Sequence, residues 1–389
     1  MSHHSMQGDF DFPTRVLFGS GRLRELPAQA AAFGSRPLVV TDPGVLASGV
    51  VERLRERLRA AGATPTLFAG VRPDPDLHTV LNAADAYREA GCDYLIAIGG
   101  GSPIDAAKAV RVDVSHDESF ERFLRPEGDP SQAEVRVPLP PLVAIPTTAG
   151  TGSEVGRSTV VTRGDRKRVL FHPTLIPTLA VCDPELTVGM PAAVTAGTGA
   201  DALIHNLEAF FARGYHPVCD GIALEGLRSG FAALPRAVES PSDLTARSDM
   251  MAAALMGAIA FQKGLGVIHS LAHPLSTVAR VHHGTANAVM LPHALRFNAG
   301  AIAARAGRVA EAIGLDARGE APAETVERLA EAFSGLFARI GLPRRLGEVG
   351  VVPELVERLA DLAYRDGCHL CNPRDVTQAD LAALYRAAL

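Results

Sequence analysis

Asp201 and His205 stand four residues apart, as do His269 and His273. In a helix, residues at i and i+4 share one face, so each pair can aim two polar groups at one point. A histidine doublet, His282 and His283, follows directly before Gly284. The helices around these groups are otherwise apolar. Buried imidazoles and a buried carboxylate must be satisfied, and a divalent ion does that directly. Hydrogen bonding within a histidine-containing core is the alternative. A carboxylate with imidazoles suits Fe2+, Zn2+, Co2+ or Mn2+. Spacing alone leaves open which imidazoles would touch the ion.

A second constellation suits phosphate. Gly99-Gly100-Gly101-Ser102 follows a buried strand and precedes a helix opening near Asp105. Glycines let backbone amides approach an anion, and a helix N-terminus adds partial positive charge. The spacing is not that of the usual G-x-G-x-x-G fingerprint. Thr147-Thr148-Ala149-Gly150-Thr151-Gly152-Ser153 follows another strand and supplies hydroxyls and amides. Both segments belong at the carboxyl ends of parallel strands, where ligands bind in open α/β sheets. Asp42 ends an earlier strand. Its carboxylate could accept from a ribose 2′-hydroxyl and would repel a 2′-phosphate, which favours NAD; its plainer role is a helix N-cap.

The elements that must carry these residues fall into two rhythms. In the first half, apolar runs at 37–41, 66–71, 94–98 and 141–145 alternate with helical stretches at 51–61, 77–91 and from Asp105 onward. Strands apolar on both faces imply a parallel sheet covered by helices. Residues 15–21 read as a strand closed by a glycine turn, part of an edge hairpin. The rhythm changes near Asp183-Pro184. Beyond Pro191, helical stretches follow at about 191–213, 219–234, 243–262, 266–280, 285–298, 300–313, 323–340, 353–366 and 377–388. The expectation is an α/β nucleotide-binding domain over 1–184 and an all-α metal-binding, catalytic domain over 185–389. Residues 126–133 read as a surface loop.

The chain has 389 residues, 47% apolar and 21% charged, with a net charge of −5. That is ample for two cores. The acidic balance speaks against nucleic acid or an anionic membrane as partner, and no apolar run approaches the roughly 20 residues of a membrane span. The polar leader with His3 and His4 does not read as a signal peptide and is set aside from any site. Five cysteines without framework spacing fit a reducing, cytoplasmic setting. Cys368 and Cys371 form half a metal motif with no second half, and read as ordinary thiols.

Together these strings resemble the iron-containing (group III) alcohol dehydrogenases, which share the dehydroquinate synthase-like fold. The matching segments are Thr41-Asp42-Pro43-Gly44, GGGSPIDAAKA at 99–109, PTTAGTGSEV at 146–155, TGADALIHNLEAF at 198–210, HSLAHPL at 269–275, HHGTANAVMLPHALRFN at 282–298 and Asn372-Pro373-Arg374. The resemblance implies a nucleotide domain, a helical domain and an active site in the cleft between them. It implies Asp201, His205, His269 and His283 as ligands of one Fe2+ or Zn2+ per chain, with His273 beside the substrate as a catalytic proton relay. It implies NAD contacts from Asp42, Gly99, Gly100, Gly101, Ser102, Asp105, Thr147, Thr148, Thr151, Ser153 and Lys167. The activity implied is NAD-linked hydride transfer between a small-molecule alcohol or aldehyde, polarised by the metal, and nicotinamide. Separately, a homodimer is expected, with the edge at 15–21 able to pair across it. Two departures stand out. Gly156 replaces a frequent Thr, and Phe261-Gln262-Lys263-Gly264 replaces a small, Asn-containing segment. Lys263 and Arg280 could bring positive charge near the substrate mouth and favour a hydroxy acid or its semialdehyde; solvated side chains are the plainer reading. Maleylacetate reductase, hydroxyacid–oxoacid transhydrogenase and a dehydroquinate synthase-like lyase are the rivals on this fold.

Overall fold

The computed structural model describes residues 14–124, 132–136, 138–164 and 166–389. Most of the expected loop at 126–133, and the leader with His3 and His4, lie outside them. The chain forms two compact units. One runs up to Thr148 and includes Ser153–Gly189; the other comprises Ala149–Gly152 and Met190–Leu389.

The α/β unit contains, in chain order, β1 (Arg15–Phe18), α1 (Leu26–Ala30), β2 (Pro37–Val40), α2 (Pro43–Ala47), α3 (Val50–Ala60), β3 (Thr66–Phe68), α4 (Leu77–Glu89), β4 (Tyr94–Gly99), α5 (Gly101–Asp113), β5 (Leu142–Pro146), β6 (Ser158–Arg163), β7 (Arg166–Phe171) and β8 (Leu179–Cys182). Six strands pair in parallel in the order β1-β8-β5-β4-β2-β3. Alternate residues bury on opposite faces, as the pleat requires. Leu95 and Ala97 pack with residues of α4 and α5, whereas Tyr94, Ile96 and Ile98 pack with Val51, Leu54 and Leu58 of α3. Strand order reverses between β2 and β4, which makes their carboxyl ends the switch point at which such sheets bind ligands.

Two local expectations need correction. Residues 15–18 form no hairpin: β1 is a parallel edge strand on β8. The turn after it is tied to the end of β8 by Asp183, whose carboxylate accepts from the Gly21 and Leu23 amides. The true hairpin is β6–β7, antiparallel and separate from the main sheet. The helix after the glycine cluster starts at Gly101, not near Asp105.

The second unit is helical: α6 (Ala192–Phe211), α7 (Pro217–Glu239), α8 (Leu244–Ala260), α9 (Val267–Val278), α10 (His283–Ala312), α11 (Pro322–Arg339), α12 (Val356–Tyr364) and α13 (Gln378–Ala388). The stretches expected at 285–298 and 300–313 are one 30-residue helix, α10. Gly300 does not break it, because a single glycine costs a helix only about 1 kcal/mol, less than flanking burial returns. Among the described residues no single helix is long and apolar enough to cross a membrane.

Candidate metal centre and dinucleotide cradle

α6 is buried along most of its length, and Asp201, His205 and Glu208 lie on one face at i, i+4 and i+7. Helix α9 presents His269 and His273, and α10 opens on His283. A close crossing of α6 and α10 brings these faces together. A Cβ on Gly284 would lie 1.9 Å from the Gly197 carbonyl oxygen, so only glycine fits there.

Asp201 Oδ1 is the hub. It lies 3.6 Å from His205 Nε2, 3.5 Å from His269 Nε2 and 3.5 Å from His283 Nε2. The donor atoms of Asp201, His205 and His269 all fall within 4.8 Å of one another. A tetrahedral ion with bonds of about 2.1 Å separates its ligands by about 3.4 Å, so the carboxylate-to-imidazole spacings fit a metal. They are too long for direct N–H···O hydrogen bonds. Burial alone would raise the Asp201 carboxyl, but the imidazoles of His205, His283 and His269 outweigh it and hold the group well below the usual carboxylate range. Burial depresses His205 to about 4, which keeps it neutral and able to ligate.

Three residues that spacing did not single out orient the cluster. Glu208 accepts from His269 Nδ1 at 2.6 Å and from the Ile268 amide at 2.7 Å. A carboxylate on Nδ1–H fixes the tautomer and turns the Nε2 lone pair toward an ion. Its i+7 position from Asp201 was a signal available in the sequence. Asn287, one turn after His283, donates to Asp201 Oδ1 at 2.8 Å. Asp366 lies 2.7 Å from His273 Nδ1 and also accepts from Ser270 Oγ. No local pattern pairs residues 93 positions apart. The His273 ring stacks on His283 at 5.3 Å, and Phe261 packs edge-on against His205.

Lys263 is not solvated. Its side chain is 2% exposed, with Nζ 2.6 Å from Asp220 Oδ1 and 3.0 Å from the Phe210 carbonyl. Arg305 shares the same carboxylate. Arg280 is exposed and has φ of +59° in the short link between α9 and α10.

In the α/β unit, Asp42, Gly99 and Thr148 meet at the switch point. Asp42 Oδ1 caps α2 through the Val45 amide. A Cβ on Gly99 would sit 3.1 Å from Asp42 Oδ2, and one on Gly100 would sit 3.3 Å from Thr148 Cγ2. Helix α5 has no side-chain cap, so its first amides, from Gly101 and Ser102 on, are left for an anion. Thr147 donates its amide to the Gly99 carbonyl, locking the two loops together. Asp105 and Ser153 are engaged elsewhere. Ser153 Oγ donates to Asp105 Oδ1 at 2.6 Å and accepts from buried Lys108 Nζ at 2.9 Å. Lys167 pairs with Asp74 at 2.7 Å. Thr151 lies in the segment that belongs to the helical unit.

The family description iron-containing alcohol dehydrogenase matches residues 13–184, and that of the family's C-terminal region matches 195–389. A 4-hydroxybutyrate dehydrogenase of Cupriavidus necator is 39% identical, covering 97% of this chain and 98% of its own. An NAD-dependent methanol dehydrogenase of Bacillus methanolicus is 35% identical over 98% and 100%. The crystal structure of a 1,3-propanediol oxidoreductase superposes with a TM-score of 0.93 at 34% identity, covering 98% and 100%. The chain belongs to the iron-containing alcohol dehydrogenase family. Its activity is that of an alcohol dehydrogenase, interconverting an alcohol and an aldehyde.

Proposed function

We propose that Asp201, His205, His269 and His283 hold one divalent ion per chain, Fe2+ or Zn2+, and that NAD is the coenzyme. The convergence of three Nε2 atoms on one buried carboxylate oxygen is the observation that carries this reading. When bound, the ion supplies Lewis acidity toward the carbinol oxygen. Glu208 holds His269 in its ligating tautomer, and Asn287 steadies the Asp201 carboxylate. His273, held by Asp366 at Nδ1, would relay the proton between the carbinol oxygen and solvent, and bound NAD would supply the hydride acceptor. Phe261 limits water at His205.

The amides at the start of α5, with the hydroxyls of Thr147 and Thr148, bind the pyrophosphate. Asp42 accepts from the ribose and disfavours NADP. Asp105 and Ser153 serve by anchoring the second loop to α5, and Lys167 by its pairing with Asp74. Five free thiols support a reducing, cytoplasmic setting. The unpaired outer side of β1 among the described residues supports strand pairing in a homodimer.

One observation favours an anionic substrate. Arg280 projects from the link between the two helices that carry His269, His273 and His283, and a left-handed backbone at an arginine is strained. With Lys263 buried against Asp220 and the Phe210 carbonyl, Arg280 is the cation nearest in sequence to those histidines. The relative that oxidises 4-hydroxybutyrate is consistent with a short ω-hydroxy acid. NADH formation from a hydroxy acid and from the neutral alcohol of equal length tests both points. A higher kcat/KM for the hydroxy acid is expected. Preference for the neutral alcohol removes the anionic reading, and no NADH from any alcohol removes the whole.

A further inference from the structure

His273, Asp366 and Cys368 offer an imidazole nitrogen, a carboxylate oxygen and a thiol sulfur, all within 4.8 Å of one another. Asp366 and Cys368 lie in and beside the short 3-10 turn Gly367–Cys371, which packs on α9. We propose that these three residues form a second divalent-metal site, separate from the Asp201 cluster and suited to a thiophilic ion of the Zn2+ class.

The donor set is the first reason. Nitrogen, oxygen and sulfur donors together select Zn2+ and Cd2+ over Mg2+ or Ca2+, and a thiolate separates this set from the all-N/O cluster around Asp201. Preorganisation is the second. Asp366 is fixed by Ser270 Oγ and by the Cys368 amide, both 2.9 Å from Oδ1, while Oδ2 faces His273 Nδ1 at 2.7 Å. The neighbour that fixes the carboxylate thus also carries the thiol. Ligand spacings in a tetrahedral site with sulfur are about 3.4 to 3.7 Å, so side-chain adjustments of about 1 Å close the set around an ion. Access is the third: the His273 and Asp366 side chains keep 16% and 18% of their exposure, so an ion can enter from solvent.

Binding balances simply. The Cys368 thiol releases its proton to solvent, and the proton on His273 Nδ1 moves to Nε2 if Nδ1 is the donor. One carboxylate and one thiolate then neutralise the ion's two charges. Metals deprotonate thiols outright, which overcomes the burial that pushes Cys368 up. Occupation would also capture the imidazole proposed as the proton relay, so a bound ion should inhibit. That consequence rests on the proposed role of His273; the binding itself does not.

Titrating the metal-loaded holoenzyme with Cd2+ separates the two. The ultraviolet thiolate-to-Cd2+ charge-transfer band reports binding, NADH formation reports turnover, and metal analysis follows the original ion. One added Cd2+ per chain, a saturating band and a more than tenfold fall in turnover are expected, with the original ion retained. Cys368→Ser should lose both band and inhibition, whereas Cys371→Ser should keep them. If Cys368→Ser does not fold, protection of Cys368 from a thiol reagent by Zn2+ in the unaltered protein, with Cys371 still reacting, serves instead. A band that survives Cys368→Ser, no band at all, or no protection overturns the site. A band without inhibition leaves the site standing and removes His273 from the relay. Loss of the original ion in step with the band overturns the proposal.

Discussion

At the scale of single residues, side chains that touch other side chains rather than substrate set the site's chemistry. Glu208 is the clearest. Its carboxylate accepts one hydrogen bond from His269 and one from a backbone amide, and a buried imidazole without that partner rotates and changes tautomer. Glu208→Gln should weaken metal affinity by about 10–100-fold with little change in helix content, as read by metal titration. Unchanged affinity would mean that His269 needs no orienting group. Glu154 offers a different test, in the α/β unit. Burial raises it to about 7, above its ordinary 4.5. Between those values the folded protein keeps a proton that the unfolded chain has lost, so this group's contribution is full below pH 4.5 and is lost as pH rises through 7. Glu154→Gln should therefore remove up to about 3 kcal/mol of destabilisation at pH 8 while changing little at pH 4.5. Urea midpoints of the two proteins across that range would show it, and parallel profiles would contradict it.

At the scale of elements, close helix contact sets the geometry. Gly197 on α6 and Gly284 on α10 let the two backbones meet one turn before Asp201 and one residue after His283. Gly284→Ala places a methyl group 1.9 Å from a carbonyl oxygen, so the helices must separate. The expected outcome is loss of bound metal together with a lower Tm, followed by metal analysis and thermal unfolding; retained metal would show that the crossing is not what aligns the ligands. The same elements show what the sequence reveals. The i, i+4 pairs of α6 and α9 are legible because a helix converts spacing into a shared face. Glu208 extends that pattern by one turn and was there to be read. Asp366 was not, because its partner is brought to it by tertiary packing. β8 and the β6–β7 hairpin escaped the sequence reading, and α10 was divided at Gly300 because a glycine marks a helix end only when packing does not carry the helix past it.

At the scale of the whole molecule, the two tasks are written in separate parts of the chain. The α/β unit supplies Asp42, the α5 amides and Thr147–Thr148; the helical unit supplies every proposed metal ligand and His273. Each unit has a buried core of its own, so a defect in one task need not unfold the other. The change of rhythm falls near Asp183-Pro184, where strands apolar on both faces give way to amphipathic helices, whereas the helical unit resumes at Met190. The exchange of Ala149–Gly152 into the helical unit was not legible, since a four-residue loop has no periodicity to read. The most direct test of the central claim is metal analysis of anaerobically purified protein alongside NADH formation, for the natural chain and for Asp201→Ala, His205→Ala, His269→Ala and His283→Ala. About one Fe2+ or Zn2+ per chain is expected in the natural protein, with metal and activity lost together in each variant and NAD binding retained. Full activity in metal-free protein, or variants that keep both ion and turnover, would contradict it.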